Sequence, residues 1–287
     1  MTNQTALSKI LSFFLVKIII GIAVVGGSVF IIELFRQFLL DQASLTDNKK
    51  NVIVAILDAL AAISSYIFLF RVYEKRKIKE LSLSTFSRNA TIGFTTGIGL
   101  QSIFILVIYL FGNYFIKQIN PVSFLLPAFA AAFTAGFVAE ILIVGVFFRV
   151  TEERLGTLIT LLICFVFFIV MHINVKGATT ISVLSTAIQA GVLLPAVYIF
   201  SRSLWVPIFL HFAWDFSEPG IFGGINPGLS IDKSLFTSNI SGSPLLSGGK
   251  MGPQNSIQSL VLCLIAAIIF LWLAKQKNHL IKPSWKK

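Results

Sequence analysis

Charge is what this sequence has least of. Only 12% of its 287 residues are Asp, Glu, Lys or Arg, and just 12 are acidic. A soluble chain of this length needs far more polar surface, so a water-borne globular domain is excluded. Cysteine is nearly absent as well. Cys164 and Cys263 both fall in apolar stretches, which rules out a disulfide framework or a cysteine metal knot and leaves them as small packing residues. Histidine occurs three times. Repeats of fixed period are lacking, and the two halves show none of the inverted symmetry common in transporters.

What the sequence does have is apolar length. It is 56% hydrophobic, contains 28 phenylalanines and has a mean hydropathy of +0.87. A bilayer core takes roughly 20 apolar residues per helix. Candidate spans are 10–35, 51–71, 92–116, 123–148, 157–173, 180–200, 203–217 and 256–274. The expected fold is therefore an all-α bundle of about eight transmembrane helices forming a single membrane domain over 1–287. The first apolar stretch is too long for a signal-peptide core and lacks a clear cleavage site, so it reads as a retained helix. Residues 218–256, rich in Gly, Pro and Ser, read as a non-cytoplasmic loop, an irregular connector with capping of a cavity as the alternative.

The net charge of +11 does not point to nucleic acid, because the cations flank apolar segments instead of forming a soluble basic face. With eight spans, 15 Lys and Arg fall on the side of both termini, from Lys9 to Lys287, and 6 on the other, leaving out Lys17 and Arg36 within the first span. That bias puts both termini in the cytoplasm and implies contact with anionic lipid. The run RVYEKRKIKE after the second span reads as a solvated, lipid-facing helix extension, with docking of a cytoplasmic partner as the alternative.

An ionisable group at mid-bilayer costs ~2.5–3.5 kcal/mol, so each one asks for a reason. Glu33 lies near a helix end and reads as interfacial. Asp58 reads as a buried hydrogen-bonding partner, and His279 falls in the basic tail. Glu140, His172, His211 and Asp215 stand apart as a group. His211 and Asp215 are four residues apart and share one helix face. Two imidazoles and two carboxylates in apolar helices imply a buried polar site suited to general acid–base chemistry.

The spacing of these residues resembles the CAAX protease and bacteriocin-processing family of intramembrane endopeptidases, the type II CAAX prenyl endopeptidase or Abi group. That family carries Glu-Glu-x-x-x-Arg, then Phe-x-x-x-His, then His-x-x-x-Asn/Asp. Here Phe168 to His172 matches the second part and His211 to Asp215 the third, while Gly145 and the EERLG stretch at 152–156 keep the register of the first. The core 123–217 carries all three parts. The resemblance implies hydrolysis of peptide bonds in membrane-associated peptides by Glu- and His-activated water. Glu140, His172, His211 and Asp215 would be catalytic, and Phe168 would line or position the substrate. It implies either no cofactor or one divalent metal such as zinc, for which those four residues would be the only ligands. The expected setting is multi-pass, in a bacterial inner membrane, with lipid and a membrane-associated peptide or protein as partners.

The first motif departs from the pattern at both ends. Ala139 stands where the first Glu belongs and Val144 where the Arg belongs, so only Glu140 survives. Successive helical residues point about 100° apart, so Glu140 does not fill the space left at 139. Without the Arg, a desolvated Glu140 carboxyl tends to stay protonated and to donate toward His172 or His211. Two readings thus stand side by side: an active endopeptidase, and a catalytically silent relative serving as membrane regulator, scaffold or bacteriocin self-immunity protein. A transporter is the remote third.

Overall fold

The computed structural model describes residues 13–226, 229 and 231–286. It is built almost wholly of helices, in the order expected from the apolar runs. These are α1 (Phe14–Phe35), α2 (Asp47–Tyr73), α3 (Phe86–Leu110), α4 (Leu125–Glu140), α5 (Arg149–Leu155) and α6 (Thr157–His172). They are followed by α7 (Thr180–Ile188), α8 (Leu194–Ser201), α9 (Trp205–Phe216), a short α10 (Pro244–Ser247) and α11 (Ile257–Gln276). Among the described residues, six stretches are long and apolar enough to cross a bilayer: 14–40, 47–73, 83–110, 122–155, 180–201 and 257–276. α6 is apolar but shorter, and α9 has only 12 residues. The chain is an integral, multi-pass membrane protein. Residues 10–12 of the first expected span, and Lys9 and Lys287 of the charge count, lie outside the described residues.

Two boundaries differ from expectation. The third apolar run was expected to stay helical to 116, but α3 ends at Leu110. Gly112 adopts a left-handed backbone (φ 70°), a conformation that costs glycine little. Beyond it Tyr114–Ile119 forms strand β1, which pairs antiparallel with β2 (Phe236–Ile240). The segment 218–256 therefore contains a strand, α10 and two 3₁₀ turns at 249–251 and 253–255. Residues 227, 228 and 230 within it lie outside the described residues. The second difference is RVYEKRKIKE, which does not extend α2 as a solvated helix. The helix stops at Tyr73, and Glu80 is buried.

α9 is short because it need not face lipid. Nine of its residues are buried, from Trp205 to Asp215. Glycines let its neighbours approach its backbone, as small-xxx-small pairs do in membrane bundles. On α3, Gly93 and Gly97 are one turn apart; a Cβ on them would stand 2.3 Å from Val206 O and 2.4 Å from Leu210 O. On α4, a Cβ at Gly136 would stand 2.8 Å from Phe212 N. Phenylalanines fill the rest of this seam. Phe129 and Phe133 meet Phe212 edge-on at 5.5 Å, and Phe137 meets Phe209 at 5.7 Å.

The ends of the bundle differ. Where α2, α5 and α8 finish, buried carboxylates pair with cations. Glu74 accepts from Lys17, Arg76 and Arg149. Glu80 accepts from Arg76 and Tyr66, and Glu152 from Arg202 and Thr157. His279, expected to be a bystander in the basic tail, instead meets the Ile199 and Phe200 carbonyls at the end of α8. At the opposite end, where α3, α6 and α9 finish, lies the β1–β2 pair, and Met251, Gln254 and Asn255 of the 3₁₀ turns wall a cavity.

Candidate functional site

The site is assembled around α9. Its neighbour α4 ends at Glu140 and passes into an eight-residue π-helical segment, Ile141–Phe148, before α5. π-helical turns are rare and gather at functional sites. Two shorter ones, Gln189–Leu193 and Ser217–Ile221, follow α7 and α9. They leave Gln189 beside the cavity and carry the end of α9 round to Glu218.

Glu140 is 2% exposed and points at α9. Its Oε1 lies 2.8 Å from His211 Nδ1, while His211 Nε2 lies 3.3 Å from Asp215 Oδ2. The imidazole is thus held between two carboxylates. Carboxylates only accept, so two such contacts require either an imidazolium with both N–H groups donating or one protonated carboxyl. Glu140 Oε2 is buried with no hydrogen-bond partner. Asp215 is held from its other side by Asn226, whose Nδ2 donates to Oδ1 at 3.1 Å.

A cavity of about 420 Å³ opens beside this trio. His211 and Asp215 line it, and so do His172 and Phe168 from α6. The volume is within the range usual for ligand sites. His172 Nδ1 lies 3.0 Å from the Phe168 carbonyl oxygen. A carbonyl only accepts, so Nδ1 carries a proton, and in the neutral imidazole Nε2 is the acceptor. The Phe168 and His172 rings stack at 5.9 Å, so Phe168 packs the imidazole as well as lining the cavity.

Four of the five residues singled out from the sequence therefore face one cavity, and the fifth, Glu140, does not line it. Glu140 stands behind His211, buried among α4 and α9 packing. The remaining intramembrane acids lie elsewhere: Asp58 accepts from Thr134 at 3.3 Å, and Glu33 pairs with Arg36 at 2.5 Å. Val144, in the position of the missing Arg, is fully buried in the apolar core.

The donors present do not fit a divalent ion. Among the described residues no three His, Cys, Asp or Glu side chains converge as a metal site. Both nitrogens of His211 already face carboxylates, and His172 Nδ1 is taken by its own backbone. Cys164 and Cys263 are buried in separate apolar clusters.

Several contributors were not legible beforehand. Asn226, Met251, Gln254 and Asn255 complete the wall from the 218–256 segment. Trp214 Nε1 donates to Gln254 Oε1 at 2.8 Å, and Gln189 Nε2 donates to Gln254 O at 2.5 Å. Below them Glu218, 0% exposed, accepts from Gln101 Nε2 at 2.8 Å and from Gln254 N at 3.4 Å. Gln101 and Gln189 sit inside apolar runs, so the argument applied to charged residues would have reached them had it included amides. Glu218 lies one residue beyond the seventh apolar run. Nothing in the composition of the loop marks Asn226 or Gln254.

Fold and site together define a multi-pass membrane protein with a histidine–carboxylate cluster beside a cavity inside the bundle. Residues 121–217 match the family described as Type II CAAX prenyl endopeptidase, Rce1-like. This is the family that the three motifs resemble, and the match spans all of Glu140, Phe168, His172, His211 and Asp215. It covers about a third of the chain and stops short of the 218–256 segment. No curated protein and no solved structure matches the chain.

Proposed function

We propose that the chain is a catalytically silent relative of these endopeptidases, which uses the cavity to hold a membrane-associated peptide segment without cleaving it. The observation that carries this reading is the position of Glu140. The one carboxylate left in the first motif is bonded to His211 behind the cavity wall, and Ala139 offers no base in its stead. A positioned base contributes about 10²–10⁴-fold to such a reaction. The oxyanion side is short of donors too, because His211 is occupied on both nitrogens and Trp214 is bonded to Gln254. A cavity of this kind suits a regulator, a scaffold or a bacteriocin self-immunity protein. The charge bias of the loops favours both termini in the cytoplasm and the cavity toward the other face; the resemblance to the family is what supports a bacterial inner membrane as the setting.

The decisive experiment is restoration. Ala139→Glu, alone and with Val144→Arg, is reconstituted in proteoliposomes and assayed against a membrane-anchored reporter peptide. The single variant is the milder one, because Val144 is fully buried and an arginine there must find a partner. Hydrolysis is expected to rise by roughly 10²-fold or more over the parent chain, the share a positioned base supplies. Cleavage by the parent chain that His172→Ala abolishes would overturn the proposal.

One observation favours the second reading, an active endopeptidase. His172 lines the cavity with its Nδ1 proton tied to Phe168 O, so Nε2 is an acceptor suited to taking a proton from water. In that case His172 alone would activate the nucleophile. The same assay separates the two, since only this reading gives turnover in the parent chain.

A further inference from the structure

A second concave site lies at the opposite end of the bundle, far along the chain from the histidines. It is lined by Arg71, Lys75, Arg76, Lys77, Lys79 and Ser82, with Ile78 as its one apolar member. Among the described residues no acidic one lines it. The site exists because α2 stops at Tyr73 and the chain runs irregularly to Leu83, where a 3₁₀ turn leads into α3. On a continuing helix these cations would point around a cylinder. Instead Lys75 takes a left-handed backbone (φ 50°), uncommon for a lysine, and Ser82 N bonds back to Lys79 O at 3.1 Å. Such outliers persist only where the surroundings hold them.

The surroundings here are Glu74 and Glu80. Both are turned inward and bind Arg76, which thereby braces the floor of the site. Arg71, Lys75, Lys77 and Lys79 remain exposed, and among the described residues none of the four has a carboxylate partner. Flanking them are exposed apolar side chains: Phe68 at 69%, Val72 at 59% and Leu83 at 79%. Phe68 and Val72 lie on α2 and Leu83 in the 3₁₀ turn that leads into α3, at the ends of two stretches long and apolar enough to cross a bilayer. Uncompensated cations beside such side chains suit the boundary between acyl chains and lipid phosphates. A soluble acidic partner would leave the apolar flanks unexplained.

We propose that this pocket binds the phosphate headgroup of an anionic phospholipid, held by Arg71, Lys75, Lys77 and Lys79 on a floor fixed by the Glu74–Arg76–Glu80 bonds. Each surface cation near an anionic leaflet adds roughly fivefold to association, the equivalent of about 1 kcal/mol. The role is independent of whether the cavity at the other end cleaves anything.

The full chain in nanodiscs of phosphatidylcholine with a small fraction of spin-labelled phosphatidylglycerol provides the test, read as the immobilised lipid fraction. Lys75→Gln/Lys77→Gln/Lys79→Gln removes three exposed charges and leaves the floor intact. Its preference for phosphatidylglycerol over phosphatidylcholine is expected to fall at least tenfold. The control Lys117→Gln/Lys176→Gln/Lys233→Gln makes the same change of net charge elsewhere and is expected to keep the preference. Equal losses in the two triples would reduce the effect to overall charge and overturn the site. No preference in the parent chain would overturn it too. Inorganic pyrophosphate tests the source of the phosphate: displacement of the labelled lipid at micromolar concentration would make the ligand a free phosphate and overturn the headgroup assignment.

Discussion

Glu74 and Glu140 are both buried carboxylates in one helical bundle, yet their surroundings are opposite. Glu74 has Lys17 at 3.2 Å, Arg76 at 2.7 Å and Arg149 at 3.1 Å. Glu140 has one histidine at 2.8 Å and an Oε2 with no partner. The difference recurs around each of them. At the Glu74 end, carboxylates and cations alternate, and Arg149 lies over the Phe70 ring at 4.3 Å. At the cavity end Glu140, Asp215 and Glu218 gather, and among the described residues no lysine or arginine is bonded to them. Buried ions that are paired and hydrogen-bonded hold helices in register, whereas two desolvated carboxyls that share one imidazole are a liability unless something is gained from them. The first region reads as a clamp. The second reads as a site.

The largest expected effect breaks the clamp. Arg149→Met removes a side chain that bonds Glu74, Glu153 and the Gly145 carbonyl. Removing one partner from a buried pair is strongly destabilising, about 3–5 kcal/mol. Lys17 and Arg76 still face Glu74, so the lower end of that range applies. Thermal unfolding in detergent would register it as a marked fall in Tm. Glu140→Gln is the matched change at the other end; it keeps an acceptor toward His211 and is expected to shift stability by no more than about 1 kcal/mol. Equal losses would erase the distinction between the two ends.

Acid sharpens the same comparison. Burial pushes the Glu74 carboxyl up, but Arg149, Arg76 and Lys17 together outweigh it and hold the group below its ordinary value of 4.5. Glu80 is likewise pushed up by burial and held below 4.5 by Arg76 and Tyr66. A carboxyl whose folded value is depressed binds protons more readily in the unfolded chain. Its contribution to stability is therefore present above about pH 4.5 and is lost as pH falls through the folded value. The unfolding midpoint should drop steeply below pH 4.5 in the parent chain and less steeply in Glu74→Gln/Glu80→Gln. A parent chain with no acid slope in that window would show that these ion pairs do not report on folding.

How far the sequence reached follows from what each feature depends on. Each of the eight runs holds a helix, and among the described residues six stretches are long and apolar enough to cross a bilayer. Helix positions depend on apolar length. The end of α3 does not: Tyr114, Phe115 and Ile116 continue the apolar composition of the run, and only the Gly112–Asn113 break distinguishes strand from helix. RVYEKRKIKE looked solvated because charge was counted by residue, whereas Glu74 and Glu80 turn inward and Arg76 follows them. Arg149 and Arg202 entered the loop count on the same basis, though each is tied to a buried glutamate. At the site, motif spacing singled out His172, His211 and Asp215, which line one cavity. For Glu140 it left His172 and His211 open as partners; the contact is with His211, and that choice depends on the rotation of α4 against α9, set by Gly136 and the π-helical stretch that follows. The wall from Asn226 to Asn255 depends on tertiary pairing that Gly, Pro and Ser composition does not encode.

The smallest effect concerns the rim of the clamp. Glu153 pairs with the same Arg149 at 2.7 Å, but its side chain is 47% exposed, against 7% for Glu74. Exposed pairs contribute about 0.2–1 kcal/mol because water screens them and two long side chains lose freedom. Glu153→Gln should therefore lower Tm only slightly, and raising the salt should shrink even that difference, since screening lengths fall to about 3 Å near 1 M. The Arg149→Met loss should persist in high salt, because its main partner is out of reach of mobile ions. If Glu153→Gln proved as damaging as Arg149→Met, the strength of this end would reside in its surface, and burial would no longer explain why the two ends differ.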